Sequence, residues 1–345
     1  MKISQYNSQK IRVLNLVLIM MVLYIHSYYH EAAVYPFALA VQRIFGGWGL
    51  SCVANSLFFL MSGMLFFKGV GCVKDCFPKM AKRVRSLIVP YVLWNCIFVL
   101  WYVVLQSIPS ISGFVNNDMV GKVFGGTLCN ALTTLLWEPA NFPLWFLRDL
   151  IVMGAISPVL YYVIKYLKWY APLILVAISP FVNLHISPFF LIGGCVAMHA
   201  SLEKVDMWLS KCITAVCAFV YVASALCCIW VESYHDYVAF IACLCGVVTV
   251  WRFYDFVASN ERITKCLSPL SSALGYSFFI YLFHEPVFNI IKKIPIRLFG
   301  DSEPVLVLLF LINPIIMSCG CCDGKSCSEV SAKVIFYSCW RKINQ

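Results

Sequence analysis

Apolar residues along this chain run in long blocks bounded by short polar segments, from residue 13 to residue 319, without the strict alternation of strands. A helix rises about 1.5 Å per residue, so about 20 apolar residues cross a hydrocarbon core roughly 30 Å thick. The blocks predict about ten transmembrane helices, over 12–29, 50–67, 87–105, 144–164, 169–183, 187–199, 213–231, 237–254, 268–291 and 304–319. The fifth, sixth and tenth are short, and Pro180 and Pro188 leave a re-entrant pair open for the fifth and sixth. Residues 124–137 read as an amphipathic or half-inserted piece in the longest loop.

Composition fits that pattern. Of 345 residues, 61% are hydrophobic and 12% charged, against about a quarter charged in soluble domains, and the mean hydropathy is +0.83. No polar block is large enough to fold apart, so the reading is an all-α integral membrane protein. Residues 1–319 form one domain and 320–345 a short cytoplasmic tail.

The net charge of +10 does not point to nucleic acid, because Lys and Arg sit between apolar runs rather than in a stripe interleaved with aromatics. Of the 26 Lys and Arg, an arrangement with both termini inside puts all but six in inner segments, as the positive-inside rule requires. The exceptions are Arg43, Lys122, Arg148, Lys292, Lys293 and Arg297, and the last three form an outer cluster that sits awkwardly. The first thirty residues imitate a signal peptide, but no small-x-small site follows, so they read as an uncleaved first helix. Most of the 18 cysteines are scattered in apolar runs, where cysteine acts as a small hydrophobe. "CGCCDGKSC", Cys319 to Cys327, matches no common zinc spacing and has no nearby His, so no metal is expected. Neither repeats nor two matching halves are visible.

Ionisable groups inside apolar spans are costly and are default candidates for chemistry. His26 lies about 13 residues past Val13 and His284 about 15 past Pro269, which puts both roughly 20 Å up their spans. Arg148 and Asp149, in "FPLWFLRDL", approach the same level from outside, so two histidines, an arginine and the carboxylates of Asp149 and Glu285 gather in one layer. Histidine suits proton transfer near neutrality. Bland readings stand beside this: a histidine in a helix contact, Arg148 snorkelling or paired with Asp149, and Glu285 in a local role beside Pro286. Ser62, in "FFLMSGMLFF", reads first as a small-residue helix contact. In "PKMAKRVRSLIVPYVLW" Lys79, Lys82, Arg83 and Arg85 form either a solvated basic cluster or an anion site for a nucleotide-bearing acyl carrier.

Six stretches in order resemble the acyltransferase 3 family of multi-pass membrane acyltransferases: "IMMVLYIHS", "FFLMSGMLFF", "KRVRSLIVPYVLW", "LWFLRDL", "FFLIGG" and "GYSFFIYLFHEP". The resemblance covers the chain to about residue 316. It implies an O-acetyltransferase of a cell membrane that takes acetyl from acetyl-CoA on the cytoplasmic side and modifies a cell-surface glycan or its lipid-linked precursor. By position His26 matches the family's first-span histidine, its leading catalytic candidate. The family's Arg eleven residues before that His is Asn15 here, with Arg12 about one turn earlier. The donor contact therefore passes to Arg12 or is made differently. Acyl transfer needs a base or carrier and positive charge for the oxyanion. That assigns His26 as base or acyl carrier, Arg148 near substrate, Glu285 or His284 as orienting or proton-shuttling groups, and Arg83 and Arg85 to the donor phosphates. Membrane lipid is an expected partner and nucleic acid is not. The rival reading is a proton-coupled transporter or flippase.

Overall fold

The computed structural model describes residues 4–109, 119–182, 187–231, 236–260 and 277–323. Among the described residues every regular element is helical. In chain order these are α1 (Gln5–His26), α2 (Pro36–Phe45), α3 (Val53–Phe67), α4 (Cys76–Arg83), α5 (Val89–Gln106), α6 (Met119–Phe124), α7 (Leu128–Leu136), α8 (Trp145–Ala155), α9 (Ser157–Leu167), α10 (Tyr170–Val182), α11 (Ser187–His199), α12 (Leu202–Trp208), α13 (Lys211–Cys227), α14 (Asp236–Ala258), α15 (Ser277–Phe299) and α16 (Glu303–Asp323).

Four stretches among the described residues are long and apolar enough to cross a membrane: Gln5–His26, Pro36–Phe67, Val73–Ser107 and Val238–Ala258. Two bent helix pairs raise the number to six if each pair is one span. The sequence has ten apolar blocks: the fourth breaks at Ile156, the described parts of α10 and α11 have 13 residues each, and the ninth block begins outside the described residues. Residues 324–345, which include the end of the Cys319 to Cys327 stretch, also lie outside them.

The described residues up to Val73 and from Val159 to Asp323 form one compact unit, and Lys74–Pro158 forms a second. In the first unit α1 is the central helix. The Ser4 hydroxyl accepts from the Asn7 amide and starts it, a normal N-cap. Leu14, Leu18 and Leu23 are buried, and the helix packs on α3, α14, α15 and α16.

Helices α3 and α11 touch backbone to backbone. A Cβ at Gly63 would lie 2.1 Å from the Phe190 carbonyl oxygen, and one at Gly193 would lie 2.0 Å from that of Leu60. Membrane helices lack a hydrophobic drive toward each other and associate through such close small-residue contacts. Gly193→Ala should therefore destabilise the protein by about 2 kcal/mol through overpacking. Gly154→Ala, where a Cβ meets nothing within 4 Å, should not; thermal unfolding in detergent distinguishes the two.

Near its N-terminus α1 carries Lys10, which is fully buried. The Lys10 ammonium donates to both Asp255 oxygens at 2.8 and 2.9 Å, lies 3.6 Å from Asp206 and sits 4.2 Å from the centre of the Trp251 ring. Arg252 pairs with Asp255 at 2.9 Å, the Tyr6 hydroxyl donates to Asp255 at 2.7 Å, and the Trp251 indole donates to Asp206 at 2.9 Å. Two cations and two carboxylates balance, which is how a buried charge is tolerated. The cluster ties α1 to α12 and α14. Asp255→Asn strands a buried ammonium and is expected to cost about 3 kcal/mol. Lys10→Met leaves Asp255 with Arg252 and Tyr6 and should cost less; denaturation of the two variants checks the order.

In the second unit, Pro90 cannot donate a backbone hydrogen bond, and the turn before it, Val84–Ile88, opens into a π-helix. Helix α5 packs on α6 and α7. The Asn95 amide donates to the Thr134 carbonyl at 3.3 Å and its oxygen accepts from the Ala140 amide at 2.7 Å. The Tyr91 hydroxyl caps the Leu136 carbonyl at 3.0 Å.

Candidate active site

The site forms where α1 ends. His26 is its last residue, and the chain then turns. The Ser27 hydroxyl donates to the Phe310 carbonyl of α16 at 3.3 Å. The Tyr29 amide donates to the Gln42 side chain of α2 at 2.9 Å, and the Asn313 amide of α16 donates to the Tyr29 hydroxyl. From α15 the Lys292 ammonium donates to the His26 carbonyl at 2.9 Å, placing a cation on the negative end of α1 where the helix dipole favours it. Three helices thus fix the backbone that carries His26.

Helix α15 supplies the other two groups. Ile280, Leu282 and Phe288 seat it in the core, and His284 is 0% exposed among them. The His284 Nδ1 lies 2.7 Å from the Tyr281 carbonyl. A carbonyl only accepts, so Nδ1 carries the hydrogen and Nε2 keeps its lone pair; that buried Nε2 has no hydrogen-bond partner. Glu285, one residue on, reaches His26: its Oε2 lies 2.9 Å from His26 Nδ1, with the two side chains 25% and 16% exposed. The two imidazoles meet edge to face, centroids 4.8 Å apart.

A carboxylate on Nδ1 sets the His26 tautomer. With a carboxylate oxygen 2.9 Å away, the fitting tautomer has its hydrogen on Nδ1 and its lone pair on Nε2. This is the base-plus-orienting-acid arrangement of acyl-transfer sites. Each of the three side chains also offers one ligand atom within 4.8 Å of the others, a two-imidazole, one-carboxylate set of the kind that holds zinc.

The structure therefore brings together His26, His284 and Glu285 from among the residues singled out in the sequence. Arg148 lies in the second unit and is held there. Its Nε and Nη2 each lie 2.8 Å from Asp149 Oδ1, its Nη1 donates to the Trp137 carbonyl at 2.7 Å, and its guanidinium lies 4.9 Å from the Trp137 ring centre. It clasps the end of α7, with Asp149 as its partner. On α1 Arg12 is exposed and Asn15 half-buried; in the second unit Arg83, at the end of α4, is half-buried and Arg85 exposed.

Lys292, Gln42, Tyr29 and Asn313 were not singled out by sequence. The available signals were the seven-residue spacing of Glu285 and Lys292, which shares one helix face, and an amide inside the apolar run of α16. Lys292, an awkward outer charge on topology alone, has a local task as the cap of α1.

The model of an acyltransferase domain matches residues 9–321, and every residue named at this site falls inside it. The chain belongs to the acyltransferase 3 family. As a family member with several apolar helices of spanning length, it is a membrane acyltransferase. It is similar to the succinoglycan biosynthesis protein ExoH of Rhizobium meliloti (strain 1021), 23% identical over 257 residues that make up 71% of this chain and 68% of that protein. No solved structure matches the chain.

Proposed function

We propose that the protein transfers acetyl from acetyl-CoA to a hydroxyl of a polysaccharide, or of its lipid-linked precursor, with His26 as general base. The observation that carries this reading is the 2.9 Å contact of Glu285 with His26 Nδ1, in a family of acyltransferases. The similarity to a protein named for succinoglycan biosynthesis supports a polysaccharide acceptor.

In this mechanism His26 Nε2 takes the proton of the acceptor hydroxyl as its oxygen attacks the thioester carbonyl. Glu285 stabilises the imidazolium that forms. The carbon–sulfur bond then breaks, the ester remains on the acceptor, and the imidazolium returns its proton to the departing thiolate. His284 packs against His26 and holds the ring in place. Arg12, Asn15, Arg83 and Arg85 serve the donor. The chain crosses the cell membrane about ten times with both termini inside.

A second role for His26, as transient acyl carrier, draws support from the length of α1. His26 lies 16 residues beyond Lys10 on one helix, or about 24 Å, so a donor entering at the Lys10 end has far to reach. Purified protein in vesicles, given radiolabelled acetyl-CoA and a polysaccharide, tests the proposal. Alkali-labile label on the polysaccharide is expected; label that also appears on wild-type protein but not on His26→Ala marks the carrier route. Movement of a sugar across the vesicle without any acyl transfer would instead establish the transporter reading.

A further inference from the structure

Away from the histidine site, the first unit contains a groove of about 470 Å³ whose lining is apolar throughout, a size typical of small-ligand sites. Its walls come from α3, α11, α12 and α14, including Leu57, Leu244, Val248 and Trp251, with Trp169 and Trp208 also on the lining. Those two tryptophans meet edge to face, centroids 6.2 Å apart, yet they are 38% and 54% exposed. Exposed tryptophans of this kind mark the level of lipid headgroups. Helix α12 agrees with that level, since it turns 78° from the following α13 and so runs across that helix rather than along it.

Basic residues lie close to the tryptophans along the chain. Lys165, Lys168, Lys204 and Lys211 are all exposed. Lys168 directly precedes Trp169, and Lys204 stands one helical turn before Trp208 on the same face. Asp206 is taken up by Lys10 and Trp251, which leaves Glu203 as the acidic group on α12 facing outward. Lys168 also has φ of 50°, at the end of α9, a left-handed position that normally takes Gly or Asn. A lysine there costs backbone strain.

We propose that the groove binds one acyl chain of an anionic phospholipid, with the lipid phosphate set against Lys168 and Lys204. The apolar walls accept the chain but cannot select it, because bilayer hydrocarbon is as apolar as the groove. Selection falls to the headgroup, and each lysine near an anionic headgroup contributes about fivefold in affinity. The site goes beyond acyl transfer and is read without it, so its failure leaves the acyltransferase proposal untouched.

The test uses the full-length protein, exchanged from detergent into nanodiscs of equal phosphatidylglycerol and phosphatidylcholine, with retained lipid counted by native mass spectrometry. Wild type is expected to keep one phosphatidylglycerol in preference to phosphatidylcholine. Combining Lys168→Gly with Lys204→Gln should reduce that retention by about 25-fold. Because Gly suits the backbone at 168, the unfolding temperature should hold or rise, so the loss cannot be blamed on misfolding. Leu244→Trp, which fills the groove, should lose retention of both lipids. Equal retention of the two lipids by wild type, or unchanged phosphatidylglycerol in the lysine variant, would overturn the proposal and leave the groove filled by bulk lipid.

Discussion

His26→Ala is expected to lower the turnover of acyl transfer by about 10²- to 10⁴-fold, the usual contribution of a positioned general base. The loss should fall on kcat, with KM for acetyl-CoA little changed, because in the proposed mechanism the donor's phosphates are held by other residues. Folding should survive. The His26 side chain contacts Glu285 and the His284 ring, whereas the Lys292 cap of α1 is made to the His26 backbone carbonyl, which Ala retains. Steady-state kinetics on vesicles with equal amounts of folded protein measure the effect. Turnover equal to wild type would remove His26 from the chemistry.

Glu285→Gln isolates charge from geometry. A Gln oxygen can still accept from His26 Nδ1 and hold the ring, but it no longer stabilises the imidazolium, so turnover should fall by about 10²-fold. Glu285→Ala loses both orientation and charge and should fall further, toward the His26→Ala level. The two residues act as one unit, so Glu285→Ala combined with His26→Ala should be no worse than His26→Ala alone. Additive losses in the double variant would mean that Glu285 serves some group other than His26.

Much of this site could be read from the chain before folding, and the limits have particular causes. Helical rise is constant, so counting from the starts of two apolar runs put His26 and His284 at one level, and their rings lie 4.8 Å apart. Glu285 was visible as a carboxylate in an apolar block, but its reach to His26 depends on how α15 rotates against α1, which periodicity alone does not specify. Arg148 shared the same depth arithmetic, yet its guanidinium pairs with its own neighbour Asp149 and with Trp137. Depth along a helix says nothing about side-chain partners.

Lys10 was not singled out in the sequence: it is fully buried because Asp206 and Asp255, some two hundred residues later, neutralise it. The helices themselves were legible as apolar blocks, and the short contact at Gly63 was legible as a small residue. The break at Ile156 was not, because hydropathy averages over a bend and joins two short helices into one apparent span.

The most direct test of the central claim, that the imidazole of His26 with Glu285 behind it is the base of acyl transfer, is chemical rescue of His26→Gly by added imidazole in vesicles supplied with acetyl-CoA and polysaccharide. The account predicts a nearly inactive variant whose transfer returns and saturates as imidazole rises, and no such return when Glu285 is also replaced by Ala. Wild-type transfer by His26→Gly without imidazole would contradict it.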